Sequence, residues 1–161
     1  MGGDEDIEEG ENEVYFQFAD PCGFGSDVLT LTLVRDTSPP EILSARLNND
    51  AAYSTASTVA LTVDAVDVLS DTLEMQWGVC LSGESDCTPL DSDASNWTPY
   101  VPYVSVPLSE GDGTYRLGLQ LRDASQNPTA VVERSVTLDT VAPSDVGLVI
   151  GDGSELMTQS T

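Results

Sequence analysis

The sequence predicts an all-β protein, a two-sheet β-sandwich of about seven strands flanked by partial copies of the same unit. The first observation is that apolar and polar residues alternate in several segments, most clearly in Thr114–Arg122. This period of two is typical of a half-buried strand. The second is the turn chemistry between such segments, as in Asp123–Pro128, where Asp and Asn side chains hydrogen-bond their own backbone. The third is an internal repeat.

The linker Asp36–Pro40 recurs as Asp139–Pro143, 103 residues further along the chain. At the same offset, without a gap, identical residues fall on one another at Gly10 and Gly113, Gln17 and Gln120, Asp20 and Asp123, Thr55 and Thr158, Ser57 and Ser160, and Thr58 and Thr161. Identities in one register, concentrated at turns and linkers, indicate a repeat. We therefore divide the chain into the C-terminal part of a preceding unit with an acidic flank (1–36), a complete unit (37–139) and the start of a following unit (140–161).

The strands follow from the alternating pattern in chain order. Residues 1–13 carry seven acidic residues and no period, so they are predicted to be a solvated flank. The predicted strands are Val14–Ala19 and Val28–Val34 in the preceding unit, then Ile42–Leu47, Thr58–Ala65, Thr72–Cys80, Trp97–Tyr100 and Tyr103–Leu108 as one or two short strands, Thr114–Arg122 and Ala130–Leu138 in the complete unit. Trp77 lies on the apolar face of its strand, so we expect it in the core between the sheets.

The composition excludes several chemistries. The chain has 28 acidic residues, five basic residues that are all Arg, and no His, giving a net charge of −23. Without His or Lys there is no Ser-His or Cys-His nucleophile pair and no Schiff base. The negative field repels nucleic acid and anionic membrane surfaces, and no apolar run is long enough for membrane insertion. Cations are the natural counter-charge.

The three cysteines bear on the redox compartment. Cys80 and Cys87 bracket a loop that a hairpin could close, and we prefer a disulfide there over two free thiols. A disulfide would place the chain in an oxidising compartment. Cys22 has either a partner in the missing part of the preceding unit or none. Two thiolates without His make only half a zinc site.

The pattern of the complete unit resembles a bacterial Ig-like repeat of large secreted and cell-surface proteins. The matching segments are Leu47–Tyr53, Val59–Val63, Asp64–Asp71, Met75, Trp97–Tyr100, Gly111–Asn127 and Leu138–Pro143. The resemblance implies an Ig-like or fibronectin-III-like sandwich in a tandem array. It also implies an extracellular or cell-surface location on a bacterium, in a stalk, fibre, adhesin or accessory module of a secreted enzyme.

The sequence offers two candidate binding sites, and each has an alternative interpretation without a ligand. Calcium, which prefers hard oxygen ligands, is expected at the domain junction, with the candidate ligands Asp36, Asp64, Asp67, Asp112 and Asp139. The alternative is that these carboxylates accept local hydrogen bonds at strand ends. A sugar platform is a second candidate, formed by Trp97, Tyr100 and Tyr103; the alternative is that these rings fill a sheet edge. No catalytic residue is predicted, because no cleft-forming insertion is visible around any carboxylate pair.

The expected function is an extracellular structural or adhesive module, with no enzymatic activity. Neither partial unit has enough strands to bury a core, so the natural protein is expected to be longer at both ends, or another chain completes the units. Partners would be neighbouring repeats or identical subunits, or a surface glycan or cell-surface protein. The alternatives are a head-to-tail filament assembled by strand addition and a carbohydrate-binding accessory module.

Overall fold

The computed structural model describes residues 7–83, 90 and 96–144, and the described residues are all-β, as predicted. The strands are β1 Gly10–Phe16, β2 Leu29–Arg35, β3 Glu41–Leu47, β4 Tyr53–Ser54, β5 Thr58–Val66, β6 Glu74–Leu81, β7 Thr98–Pro99, β8 Tyr103–Pro107, β9 Gly113–Arg122 and β10 Val132–Leu138. A 3₁₀ turn, Asn48–Asp50, follows β3. Within the same ranges, no helix has the length and apolar character that a membrane span requires.

Strands β3 to β10 form two sheets that pack face to face as a sandwich. One sheet has the order β4-β10-β9-β6-β7 and the other the order β3-β5-β8. All pairings are antiparallel except that of β4 with β10, which is parallel. Both sheets contribute to one buried apolar cluster, so the predicted two-sheet arrangement is confirmed. Strands β1 and β2 form a separate two-stranded hairpin.

The core lies between β9 and β5, because apolar side chains that face inward occupy every second position along the middle of both strands. The inward residues of β9 are Tyr115, Leu117, Leu119 and Leu121, each at most 1% exposed. Val59, Leu61 and Val63 of β5 face them, and Met75, Val106, Leu108, Val136 and Leu138 close the layer. Each such side chain contributes roughly 1.5–3 kcal/mol by its burial. Trp77 packs against this cluster but is only half-buried, so Met75 and Tyr115 fill the centre instead.

Most strand ends lie within two residues of the predicted ones, but β1 is shifted further and one strand was missed. The hairpin strand β1 begins at Gly10, inside the predicted acidic flank, because Glu11 and Glu13 pair with β2 through their backbone while their side chains stay exposed. Strand β4 was not predicted. It has only two residues and exists through its parallel pairing with β10, and so short an edge strand carries no periodic signal.

The hairpin β1–β2 has the same register as β9–β10 at the offset of 103 residues. Gly10 pairs with Arg35 and Gly113 with Leu138, and Phe16 pairs with Leu29 as Leu119 does with Val132. Seven consecutive pairs therefore correspond in the two hairpins.

The two hairpin turns also share their hydrogen bonds. Ser26 N donates to Phe18 O at 2.7 Å, and Thr129 N donates to Leu121 O at 2.8 Å. Gln17 Nε2 donates to Ser26 O at 2.9 Å, and Gln120 Nε2 donates to the equivalent Thr129 O at 2.7 Å. The left-handed position of the turn is Gly23 in one hairpin, with φ +90°, and Gln126 in the other, with φ +70°. The backbone therefore follows one path with different side chains.

Candidate functional site

The linker before β3 is held by a carboxylate. Thr37 donates from its backbone N to Glu9 Oε1 at 2.7 Å and from its hydroxyl to Glu9 Oε2 at 2.8 Å. Ser38 Oγ adds a third hydrogen bond to the same carboxylate at 3.1 Å. These hydrogen bonds, those of Thr37 first, lower the pKa of Glu9. We call this arrangement the first clasp.

A second clasp holds the linker after β10. Thr140 donates from its backbone N to Asp112 Oδ2 at 3.0 Å and from its hydroxyl to Asp112 Oδ1 at 2.8 Å. Each linker also caps itself, since Ser38 N donates to Asp36 Oδ1 at 3.3 Å and Val141 N to Asp139 Oδ1 at 3.2 Å. The two clasps therefore use equivalent atoms at both ends of the complete unit.

Asn127 joins the first linker to the sandwich. Its side-chain Nδ2 donates to the backbone O of Asp36 at 3.1 Å and to Asp123 Oδ2 at 2.8 Å, and its backbone N donates to Asp123 Oδ1 at 2.9 Å. Asp123 is 1% exposed, so this carboxylate is fixed within the fold. The turn after β9 thereby holds the linker that precedes β3, at a sequence separation of 91 residues.

An acidic cleft of about 420 Å³ lies beside this linker, lined among others by Glu9, Asp36 and Asp67. Partial removal of the Asp36 carboxylate from water raises the pKa of Asp36, and the negative charges of Asp123, Asp67 and Glu9 raise this pKa further. The cleft thus concentrates negative charge at the start of the complete unit. Even so, no group of three or more His, Cys, Asp or Glu side chains could hold a metal ion anywhere in 7–83, 90 and 96–144.

The five predicted calcium ligands lie in three different places. Asp36 and Asp67 lie near each other at the start of the unit. Asp112, just before β9, and Asp139, just after β10, lie together at the other end of the unit, because Gly113 pairs with Leu138. The length of β9, about 33 Å for ten residues, separates the two groups. Asp64 is exposed in β5, opposite Ser44.

Most of these carboxylates accept local hydrogen bonds. Asp67 Oδ1 accepts from the backbone N of Leu69 and of Ser70, both at 2.8 Å, while Asp112 and Asp139 serve the second linker. The plainer interpretation therefore accounts for four of the five positions. Calcium binding stays a prediction.

The three aromatic residues proposed as a sugar platform differ in their surroundings. The Arg122 guanidinium lies 4.5 Å from the ring centroid of Trp97 and pairs with Glu74 at 2.6 Å. The Tyr100 hydroxyl donates to Val63 O at 2.8 Å, and burial, followed by the nearby Asp64 carboxylate, raises the pKa of Tyr100. Tyr103 alone of the three is exposed, at 60%.

The cysteine predictions are tested only in part. Cys80 lies in β6 opposite Arg116, but Cys87 lies outside the described residues, so the disulfide stays a prediction. Cys22 is an exposed free thiol in the turn after β1, and its backbone N donates to Asp20 Oδ1 at 2.9 Å.

The hairpin β1–β2 presents an exposed apolar surface. The alternating pattern of the sequence places these side chains on one side of the hairpin, but their exposure was not predicted. We call this the hairpin face; it consists of Val14, Phe16, Phe18, Leu29, Leu31 and Leu33. Phe16 is 43% exposed, Leu29 54%, and Leu31 and Leu33 44% each. The clasps were also missed, although the recurrence of Asp-Thr at both linkers was their visible signal.

Similarity to known proteins does not extend these observations. A scan against models of known protein families matches none of them, and a search of curated proteins finds no match.

Proposed function

We propose that the protein is an extracellular structural or adhesive module, an Ig-like β-sandwich repeat of a bacterial surface stalk, fibre or adhesin, which sets the direction of its neighbours through clasped linkers. The observation that carries the proposal is the recurrence of the clasp, 103 residues apart and with equivalent donor and acceptor atoms. The equal register of the two hairpins supports the underlying tandem repeat.

A linker held by a clasp suits a rigid spacer better than a flexible connection. Two hydrogen bonds from Thr37 to an ionised carboxylate are charge-assisted and fix the chain where it leaves one unit. Asn127 fixes the same linker to the next unit. Pro39 and Pro40 restrict the backbone between these points. Each junction then has a defined direction, and repetition of that junction gives an extended array.

The composition agrees with a passive extracellular role. The net charge of −23 keeps units soluble and discourages lateral association. We assign no catalytic residue and no cofactor other than calcium, whose proposed role would be to screen the carboxylates around Asp36 and Asp67.

The test is a tandem of two copies of residues 37–139 joined directly, so that Thr37 of the second copy meets Asp112 of the first. Spin labels on the two copies report the distance between them by electron resonance. We expect one narrow distance distribution, broadened by Thr37→Val in the second copy, which removes the hydroxyl donor, and unchanged by Thr37→Ser, which retains it. A broad distribution in the parent tandem, or one indifferent to Thr37→Val, would refute the proposal.

A further inference from the structure

The hairpin face has the pattern of a core surface, but no sheet formed by the described residues 7–83, 90 and 96–144 covers it. Phe16, Leu29, Leu31 and Leu33 lie on the same side of β1–β2 and are between 43% and 54% exposed. A two-stranded hairpin is marginally stable alone and needs its apolar face packed against another layer. Exposed apolar surface rimmed by polar residues marks an interaction site.

The sandwich indicates which layer fits. At the offset of 103 residues the hairpin face corresponds to the inner face of β9–β10, where Leu119 and Leu121 are 0% and Val136 is 1% exposed. That inner face is covered by the sheet β3-β5-β8, except toward the start of β10, where Val132 is half-buried and Arg134 is exposed. Equal register and equal turn hydrogen bonds mean that both hairpins present their side chains in the same geometry.

We propose that the hairpin face binds a three-stranded antiparallel β-sheet with an aliphatic inner face, carried by the same polypeptide on the N-terminal side of β1. This inference rests on the proposed function, because it identifies the hairpin as the closing element of a neighbouring repeat. The partner is therefore a sheet of the β3-β5-β8 kind.

The size of the hairpin face argues for a tethered partner over a second copy of the chain. Seven residue pairs at about 3.4 Å per residue, on two strands about 4.8 Å apart, give a planar footprint of roughly 230 Å². A stable interface between separate proteins needs roughly 800 Å² from each partner. Two copies would also repel each other, since each carries a net charge of −23. A tether removes this difficulty by holding the partner at a high effective concentration.

Three positions define how the partner sheet differs from β3-β5-β8. Arg134 donates from Nε to Ala45 O at 2.8 Å, but the corresponding hairpin residue is Leu31, whose side chain has no hydrogen-bond donor. The partner must therefore place apolar atoms there. Phe16 and Phe18 stand where β9 has two leucines, so the partner needs smaller side chains opposite the two rings.

The test is a fusion in which residues 37–110 of this chain precede residue 8, the spacing that they have before residue 111. Amide hydrogen exchange of β1 and β2 is measured in the fusion and in the 161-residue chain. We expect protection of the β2 amides to rise by at least about 100-fold in the fusion, because frayed segments open at almost no free-energy cost whereas core strands open only with global unfolding. A control fusion with Leu61→Asp in the added segment only, at a position 0% exposed in the sandwich, should lose that protection.

A second fusion guards against a failure due to side-chain size. It carries Phe16→Leu, Phe18→Leu and Leu31→Arg, which match the hairpin to β9–β10. Protection in either fusion supports the proposal, and exchange at the rate of the 161-residue chain in both overturns it. Protection already present in the monomeric 161-residue chain, or gained there with a doubled mass at high concentration, also overturns it. The tandem that tests the clasps lacks the hairpin, so failure here leaves the spacer role standing.

Discussion

Removal of one buried hydroxyl, by Tyr115→Phe, tests how the turn before β9 is held. Tyr115 is 1% exposed, and its hydroxyl accepts from Glu110 N at 2.9 Å and donates to Gly111 O at 2.7 Å. A neutral hydrogen bond contributes about 0.5–1.5 kcal/mol, so losing two would destabilise by about 1–3 kcal/mol. Because Glu110 and Gly111 are exposed, water replaces part of the loss, and we expect about 1–2 kcal/mol.

The assay is urea unfolding followed by tryptophan fluorescence, since both tryptophans belong to the complete unit. With a denaturant slope of about 2 kcal/mol/M, the midpoint should fall by about 0.5–1 M urea. The matched control is Tyr103→Phe, whose ring is 60% exposed, and its midpoint should stay unchanged. Equal midpoints for the two variants would refute the reasoning. The Thr140 amide should also exchange faster in Tyr115→Phe, because the turn positions Asp112.

Three further predictions concern charged groups. Thr37 lowers the pKa of Glu9, so the first clasp should be complete above about pH 4.5 and should weaken as the pH falls through the lowered pKa. The NMR chemical shift of the Thr37 amide should follow this protonation of Glu9. In Glu9→Gln the Thr37 amide shift should no longer change over that pH range. The raised pKa of Asp36 implies a stability contribution that is present at acid pH and lost as the pH rises through that pKa. Asp36→Asn should therefore raise the melting temperature at pH 7. The increase should be larger at low salt than in 0.5 M salt, where the Debye length is about 4 Å. An unchanged melting temperature would contradict this. Arg122→Lys should destabilise by about 0.5–1 kcal/mol and make Trp97 fluorescence easier to quench with acrylamide; unchanged quenching would count against the stacking.

The strands and their inward faces were predictable from the sequence because burial on one side imposes a period of two. In β5 and β9 every predicted inward residue is buried, including Leu61 and Leu117 at 0% exposure. In β6 the same reasoning placed Trp77 too deep, because periodicity assigns a face but not a depth. The two-residue strand β4 had no period to detect.

The sequence predicted which kind of side chain, a carboxylate, lies at the linkers, but it did not predict which carboxylates lie close together. Acidic residues next to the linkers were singled out, but a carboxylate beside a turn can either bind a cation or accept backbone hydrogen bonds, and only the fold decides between these uses. The sequence grouped Asp36 with Asp112, which lie at opposite ends of the unit. Glu9, which makes the first clasp, was assigned to a solvated flank because its partner Thr37 lies 28 residues away.

The two hairpins explain how an equal strand register can occur with few identical residues. The turn before β9 is held by the Tyr115 hydroxyl, which donates to Gly111 O, and the equivalent turn before β1 is held by the Asn12 amide, which donates to Glu8 O at 2.8 Å. Both side chains serve backbone acceptors, so the requirement is a donor at one point and not a particular residue. A comparison of residues scores such a pair as a mismatch, although the hydrogen bond is the same. The residue is the same where one carboxylate accepts two hydrogen bonds in the turn. Asp20 accepts from the backbone N of Cys22 and of Phe24, and Asp123 accepts from the backbone N and the side-chain Nδ2 of Asn127.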